Sequence, residues 1–114
     1  MIKYREQQTV TKKQNDKGID KMYLNSLKDF EGFNKKVSMF SSIKLLPGEE
    51  VTYHVHTGEA ESYYVISGVG EYNDNGKIYE VKSGMVTFTP SGNGHGIKNT
   101  GSEMLNFIAL IVLD

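Results

Sequence analysis

Short runs of apolar and β-branched residues alternate with turn residues from Val37 to the end of the chain. Runs of this kind, bounded by Gly, Pro and Asn, are typical of β-strands. They predict eight strands, near residues 37–46, 51–56, 61–67, 69–73, 77–82, 85–89, 95–99 and 104–113. Asn75-Gly76 predicts a tight hairpin, because both residues tolerate the positive φ angles of a primed turn. Eight short strands favour an all-β sandwich or barrel.

Residues 1–36 have a different character. They are polar and rich in lysine, and "TKKQNDKGIDK" at 11–21 predicts a loop or an extended arm. The single helix candidate lies near residues 24–31. We therefore divide the chain into an N-terminal arm, residues 1–36, and a β-barrel domain, residues 37–114.

Composition and charge exclude several classes of protein. A chain of 114 residues suits one domain. It contains no cysteine, which excludes disulfides and zinc–thiolate sites and fits a reducing cytosol. With 13 basic and 14 acidic residues it lacks the basic excess of a nucleic-acid-binding protein. The N-terminus does not resemble a secretory signal, and the apolar stretch 104–113 is about half as long as a membrane-spanning helix. We expect a cytoplasmic protein with no nucleic-acid or membrane partner.

Three histidines and one glutamate in the predicted barrel are candidate metal ligands. His54 and His56 flank Val55 on one strand, so both side chains point to the same face. Glu61 follows the turn "TGEA" and can pair back across a hairpin beside them. His95 opens a later strand, and distant strands meet in the interior of a barrel. These residues either hold a metal ion or are ordinary polar residues of an exposed strand and a loop.

Two longer stretches have a recognisable spacing. In the first, "GEEVTYHVHTGEAESYYVISG" at residues 48–68, five residues separate Gly48 from His54 and one separates His54 from His56. Four more precede Glu61, and six precede Gly68. "GMVTFTPSGNGHGIKN", residues 84–99, reads Gly, five, Pro, one, Gly, two, His, three, Asn. They resemble the two signature motifs of the cupin family, with the short separation of compact microbial single-domain cupins. The resemblance covers about residues 37–113.

The resemblance implies a cupin-type jelly-roll β-barrel with one metal ion inside. Its ligands would be His54, His56, Glu61 and His95, which include all three histidines of the chain. Neutral imidazoles and one carboxylate suit Mn, Fe, Ni, Co or Zn. Four protein ligands leave one or two positions open for water, O2 or a chelating substrate. The motif spacing selects Glu61 over Glu59, which we expect to be a solvated turn residue.

Cupins include dioxygenases, isomerases, decarboxylases, lyases and non-catalytic binders, so the fold does not name the function. The complete ligand set argues against epimerases with a metal-free site. The presence of Glu61 and the absence of cysteine argue against thiol dioxygenases. Oxalate-type enzymes hold the substrate carboxylate with a buried arginine, and here the only arginine, Arg5, lies outside the barrel. That class is therefore disfavoured, although Lys44 can supply a point charge.

Two hypotheses remain. The first is a metalloenzyme of dioxygenase, isomerase or lyase type that acts on a small oxygen-bearing molecule, with Glu61 or Tyr63 moving a proton. Tyr63 is a candidate because it shares the inward parity of Glu61. The second is a non-catalytic module that binds or senses a small metal-chelating ligand. Several polar inward side chains beyond the ligands would favour the enzyme, whereas an apolar interior would support the two equally.

The arm is expected to mediate a homodimer. The edges of a small barrel attract another strand unless they are covered, and twofold dimers are the commonest oligomers. "KMYLNSL" at 21–27 carries four apolar side chains, enough for one strand or turn packed on a neighbour: Met22, Tyr23, Leu24 and Leu27. Small cupins commonly pair through such segments. The alternative is a disordered tail.

Overall fold

The structure, a computed structural model, describes residues 2–7, 10–14, 21–28 and 35–114, with the backbone alone for 10–14 and 21–26. The described residues form one 3₁₀ turn, Arg5–Gln7, and ten β-strands. In chain order the strands are β1 Val10–Gln14, β2 Lys21–Ser26, β3 Val37–Leu45, β4 Glu50–Val55, β5 Glu59–Ser67, β6 Val69–Asp74, β7 Lys77–Lys82, β8 Val86–Thr89, β9 Gly94–Asn99 and β10 Leu105–Leu113.

The strands form two antiparallel sheets. One has six strands in the order β1-β2-β3-β10-β5-β8, and the other has four in the order β4-β9-β6-β7. Alternate side chains of both sheets point inward and form one apolar core: Ile43, Leu45, Val51, Tyr63, Val65, Tyr72, Val81, Ile97, Leu105, Phe107 and Ala109. The predicted all-β jelly-roll architecture is confirmed.

The eight strands predicted between residue 37 and the end of the chain are all present, and their ends differ from the prediction by at most two residues. The alternation of apolar and polar residues therefore located them well. The hairpin between β6 and β7 also turns at Asn75-Gly76, with φ of 50° and 99°. Positive φ at both positions is what the primed turn requires.

The helix expected near residues 24–31 is wrong for the part that the structure describes. Residues 24–26 belong to β2, and residues 27 and 28 are not helical; the rest of that prediction lies outside the described residues. Within the described part of the chain, no helix is long and apolar enough to cross a membrane. The cytoplasmic location stays a prediction.

The N-terminal arm contains two strands that the sequence did not predict. β1 pairs with β2, and β2 pairs with β3 from Tyr23↔Lys44 to Ser26↔Ser41. An uncovered β3 would expose a row of unpaired backbone groups, so β2 covers the edge of its own sheet. Strand pairing therefore crosses the expected division between residues 36 and 37. Of the four apolar residues at 22–27, only the side chain of Leu27 is described, and it is partly buried.

Asn99 fixes the end of β9, the strand that carries His95. Its buried amide Nδ2 donates to the carbonyl oxygens of Leu45, at 2.8 Å, and Glu103, at 2.7 Å. Its Oδ1 accepts from the backbone N–H of Gly101 at 2.9 Å. The side chain of Asn99 therefore ties the end of β9 to the end of β3 and to the turn that follows β9.

We predict that Asn99→Ala lowers the free energy of unfolding by about 2–4 kcal/mol, because it removes three hydrogen bonds and leaves buried backbone groups without partners. Urea denaturation followed by circular dichroism measures the change. Thr100→Ala, at an exposed neighbouring position, is the control and should change stability by less than about 0.5 kcal/mol. Equal stabilities of the two variants would contradict the role of Asn99.

Candidate metal centre

Three strands bring the predicted ligands together. His54 lies in β4 and is paired directly with His95 in β9, while His56 follows the last residue of β4. Glu61 lies in β5, in the facing sheet. The prediction that Glu61 pairs back across a hairpin is therefore wrong, because β4 and β5 belong to different sheets. Glu61 reaches the imidazoles across the interior of the barrel.

The four side chains converge on one point. Each offers one ligand atom, and these atoms all lie within 4.8 Å of one another. Nε2 of His54 lies 3.0 Å from Nε2 of His56. Glu61 Oε1 lies 2.9 Å from Nε2 of His56 and 2.7 Å from Nε2 of His95. His95 and Glu61 are buried, with 0% and 3% of their surface exposed.

The outer nitrogens of two rings contact fixed acceptors. His54 Nδ1 donates to the backbone carbonyl of Thr52 at 2.7 Å. His56 Nδ1 lies 2.8 Å from Glu59 Oε1 and donates to this carboxylate. These contacts favour the tautomers with the proton on Nδ1, which leave the lone pair of Nε2 facing the centre. Such outer partners commonly orient metal-binding histidines.

His95 is held by two hydroxyl groups. Its Nδ1 lies 2.9 Å from Tyr72 Oη and 3.0 Å from Thr89 Oγ1, and all three groups are buried. Burial raises the pKa of Tyr72, so its hydroxyl stays neutral. His95 Nε2, by contrast, makes no hydrogen bond among the described residues, although it lies 2.7 Å from the Glu61 carboxylate. A buried nitrogen without a partner is rare and costs free energy.

Burial lowers the pKa of His54. Its hydrogen bond to Thr52 opposes this shift, the nearby rings of His95 and His56 add to it, and the charge of Glu61 opposes it again. The net effect is a lowered pKa, so His54 is neutral at neutral pH. The neutral imidazole is the form that binds metal ions.

These donors fit a metal ion. In these tautomers the lone pairs and the carboxylate oxygen face one another at about 3 Å, where they repel unless positive charge lies between them. A proton bridges only two such atoms, whereas a cation can bind all four. Three imidazoles and one carboxylate suit a divalent transition metal. The cluster is therefore able to bind a metal.

A cavity of about 130 Å³ lies beside the cluster. Besides His54, His56 and Glu61, its wall consists of Met39, Ile43, Val51, Tyr63 and Ile111. The ring of Tyr63 stacks on His95, with ring centroids 4.9 Å apart and an interplanar angle of 28°. Apart from Tyr63 and the cluster itself, this wall is apolar. Since polar side chains beyond the ligands would favour an enzyme, this largely apolar wall supports a non-catalytic binder and an enzyme equally.

Neither Lys44 nor Arg5, the basic residues discussed as groups that could hold a substrate carboxylate, reaches this cavity. Lys44 alternates with the buried Ile43 and Leu45, so its side chain points away from the interior. Arg5 lies in the exposed 3₁₀ turn. The expectation that Lys44 can act as a substrate clamp is therefore wrong.

Glu59 has a role that the sequence did not indicate. Instead of being a solvated turn residue, it is the first residue of β5, and it contacts His56 as described above. Its Oε2 accepts a hydrogen bond from Ser38 Oγ at 3.2 Å. The signal that could have identified it is parity, since Glu59 shares a strand face with Glu61.

A family model for the cupin domain matches residues 41–111. The chain belongs to the cupin family.

Two proteins and one crystal structure are similar to this cupin. An oxalate-binding protein from Thermotoga maritima is 46% identical over 83 residues, which cover 73% of this chain and 69% of the relative. A 5-nitrosalicylic acid 1,2-dioxygenase from Bradyrhizobium is 31% identical over 78 residues, covering 68% of this chain and 37% of the dioxygenase. The crystal structure of a predicted oxalate decarboxylase from Thermotoga maritima has a TM-score of 0.91 and 37% identity, and the match covers 100% of both chains.

Proposed function

We propose that this cupin holds one divalent transition metal ion through His54, His56, Glu61 and His95 and uses it to bind a small chelating carboxylate, of which oxalate is the simplest. The observation that carries the proposal is the convergence of four ligand atoms within 4.8 Å of one another. Nε2 of the buried His95, which makes no hydrogen bond among the described residues although it faces the Glu61 carboxylate, supports it. The bound metal would supply Lewis-acid charge.

The cavity supports a ligand of this size. Its volume of about 130 Å³ corresponds to the liquid volume of about four water molecules. Among the residues whose side chains the structure describes, no lysine or arginine lies on its wall, so the metal would provide the positive charge that a dicarboxylate needs. Oxalate-type enzymes hold the substrate carboxylate with a buried arginine, which this barrel lacks. A ligand that chelates the metal through two carboxylate oxygens does not require such an arginine. The oxalate-binding relative supports the same ligand class.

The protein's own residues would orient and shield the ligand. Thr52, Glu59 and the hydroxyl pair of Tyr72 and Thr89 hold the three imidazoles in place. The apolar wall excludes water, which strengthens the attraction between a charged ligand and the metal.

A metalloenzyme of dioxygenase, isomerase or lyase type is the second candidate. The observation in its favour is Tyr63, whose ring lies on the cavity wall two residues from Glu61. In this case Glu61 or Tyr63 would accept a proton from the substrate.

We predict that His54→Ala and His95→Ala each reduce bound metal to a small fraction of the wild-type content, because each removes one of four donors, while the core strands still fold. Glu61→Gln should retain weakened binding, since its amide oxygen remains a donor without the charge, and should lose most of any activity. Metal analysis after dialysis measures the content. Glu80→Gln on β7, a strand that carries none of the four residues, is the control. Stoichiometric metal in both histidine variants would refute the ligand set.

We predict that the metal-loaded protein binds oxalate and the metal-free protein does not. Acetate, with one carboxylate, should bind at least about tenfold more weakly, a difference of about 1.4 kcal/mol. Isothermal titration calorimetry measures the affinities. Equal binding of oxalate to the metal-free protein would contradict the proposal, and tighter binding of salicylate than of oxalate would favour the second candidate.

We propose that the protein forms a homodimer through the outer face of the six-stranded sheet rather than through its arm. Strand β2 of the arm is already paired with β3 of its own chain, so the outer face is the better candidate for the contact. Two rows of cross-strand neighbours form this face: Ser42, Ile108, Tyr64 and Val86, and Phe40, Leu110, Ser62 and Phe88. Neither row contains a charge. An antiparallel sheet normally alternates apolar and polar faces, whereas the inward face of this sheet is also apolar. These two uncharged rows, which lie beside Lys44 on the same face, match a second copy of themselves around a twofold axis.

We predict a mass of twice 12.8 kDa for the full-length protein at micromolar concentration, measured by light scattering. Val86→Lys with Phe88→Lys should give a monomer, because positive charges would face one another across the twofold axis. Both positions are exposed, at 69% and 63%, so the chain should still fold. Ile78→Lys, an exposed position in the other sheet, is the control. A monomeric wild-type protein, or a dimeric double variant, would rule out this interface.

A further inference from the structure

We infer that Glu59 is a positioning residue of the metal centre: its carboxylate holds the His56 ring so that Nε2 faces the other three donors. This inference rests on the proposed metal site. It concerns a residue outside the four proposed ligands.

The contact between Glu59 and His56 has the geometry of a charge-assisted hydrogen bond. Glu59 Oε1 lies 2.8 Å from His56 Nδ1, within the range of about 2.7–2.9 Å for such bonds. The side chain of Glu59 is 27% exposed and that of His56 is 10% exposed, so the pair is partly shielded from water. Ser38 Oγ donates to the second oxygen of the carboxylate, which ties it to β3.

His56 needs such a support more than the other two rings. His54 and His95 are paired with each other within the ladder of β4 and β9. His56 lies beyond the end of β4, and its backbone is held by the turn before β9, through His56 N–H to the Asn93 carbonyl at 3.2 Å and Gly92 N–H to the His56 carbonyl at 2.8 Å. These bonds fix the backbone but leave the rotation of the ring to its side-chain contacts.

The outer partners of the three rings also differ in charge. The outer nitrogen of His54 faces a neutral carbonyl, and that of His95 faces two neutral hydroxyls. His56 faces a carboxylate, which raises the basicity of the opposite ring nitrogen. With a metal on Nε2, the proton on Nδ1 remains available to Glu59. Glu59 would therefore both orient His56 and strengthen it as a donor.

The test uses the full-length protein loaded with Zn(II) alone. The variants are Glu59→Ala, Glu59→Gln and Ser38→Ala, with Glu80→Ala on β7 as the matched carboxylate control. Competition with a chromophoric chelator measures Zn(II) affinity, and NMR of the ¹⁵N-labelled histidine rings reports each Nδ1–H proton.

We expect Glu59→Ala to weaken Zn(II) binding by about 10–100-fold, the usual effect of losing an outer partner of a metal ligand. Glu59→Gln keeps an acceptor oxygen and should lose less, Ser38→Ala should have a smaller effect than Glu59→Ala, and Glu80→Ala should have none. The Nδ1–H signal of His56 should move upfield or exchange away in Glu59→Ala, while those of His54 and His95 stay in place. A purely structural role would not single out one ring.

Unchanged Zn(II) affinity together with an unchanged His56 signal in Glu59→Ala would overturn this inference about Glu59. It would leave the proposed metal site intact. If Glu59→Ala does not fold, the nearly isosteric Glu59→Gln decides by the same two measurements: a shifted His56 signal supports the inference and an unchanged one overturns it. A wild-type protein that binds no Zn(II) overturns the proposed function, and the inference with it.

Discussion

Three imidazole nitrogens and one carboxylate oxygen share a small volume inside an apolar barrel, and this is the constraint on which the rest of the site depends. Polar groups removed from water need partners, since each unpaired one costs free energy. His95 Nε2 makes no hydrogen bond among the described residues and lies 2.7 Å from the Glu61 carboxylate, while Nε2 of His54 lies 3.0 Å from Nε2 of His56. A cation at their centre satisfies all four groups at once. Most of the described core around them is apolar, and Tyr72, one of its few polar members, contacts the outer nitrogen of His95.

Both sheets of the barrel are needed to assemble this cluster. The four-stranded sheet supplies the paired His54 and His95, and the six-stranded sheet supplies Glu61 from β5. Side chains behind the rings then set their orientation: the Thr52 carbonyl, the Glu59 carboxylate and the hydroxyls beside His95. Any shift of one sheet against the other would separate the donors, so the packing of the core and the geometry of the site are coupled. This coupling explains why a catalytic or binding site can be built from so few polar residues in a small apolar interior.

Much of this arrangement could be predicted from the sequence. Strand alternation located β3 to β10, and the motif spacing selected the four residues that the structure brings together. Alternation gives the face of a strand but not its neighbour, so the placement of Glu61 across a hairpin was wrong. β1 and β2 escaped prediction because they are polar and form by pairing with an existing edge. The turn predicted at Glu59 is wrong because the start of β5 is fixed by its pairing with Leu113 of β10, a contact distant in sequence.

The central claim, that these four side chains bind one metal ion, is tested most directly by X-ray absorption spectroscopy of the metal-loaded protein. The spectrum reports the number and kind of atoms bound to the metal. We predict three imidazole nitrogens with the remaining ligands oxygen, a pattern that fits His54, His56, His95 and Glu61 and no sulfur, since the chain has no cysteine. A spectrum with fewer than three imidazoles, or with a shell of water oxygens alone, would contradict the account.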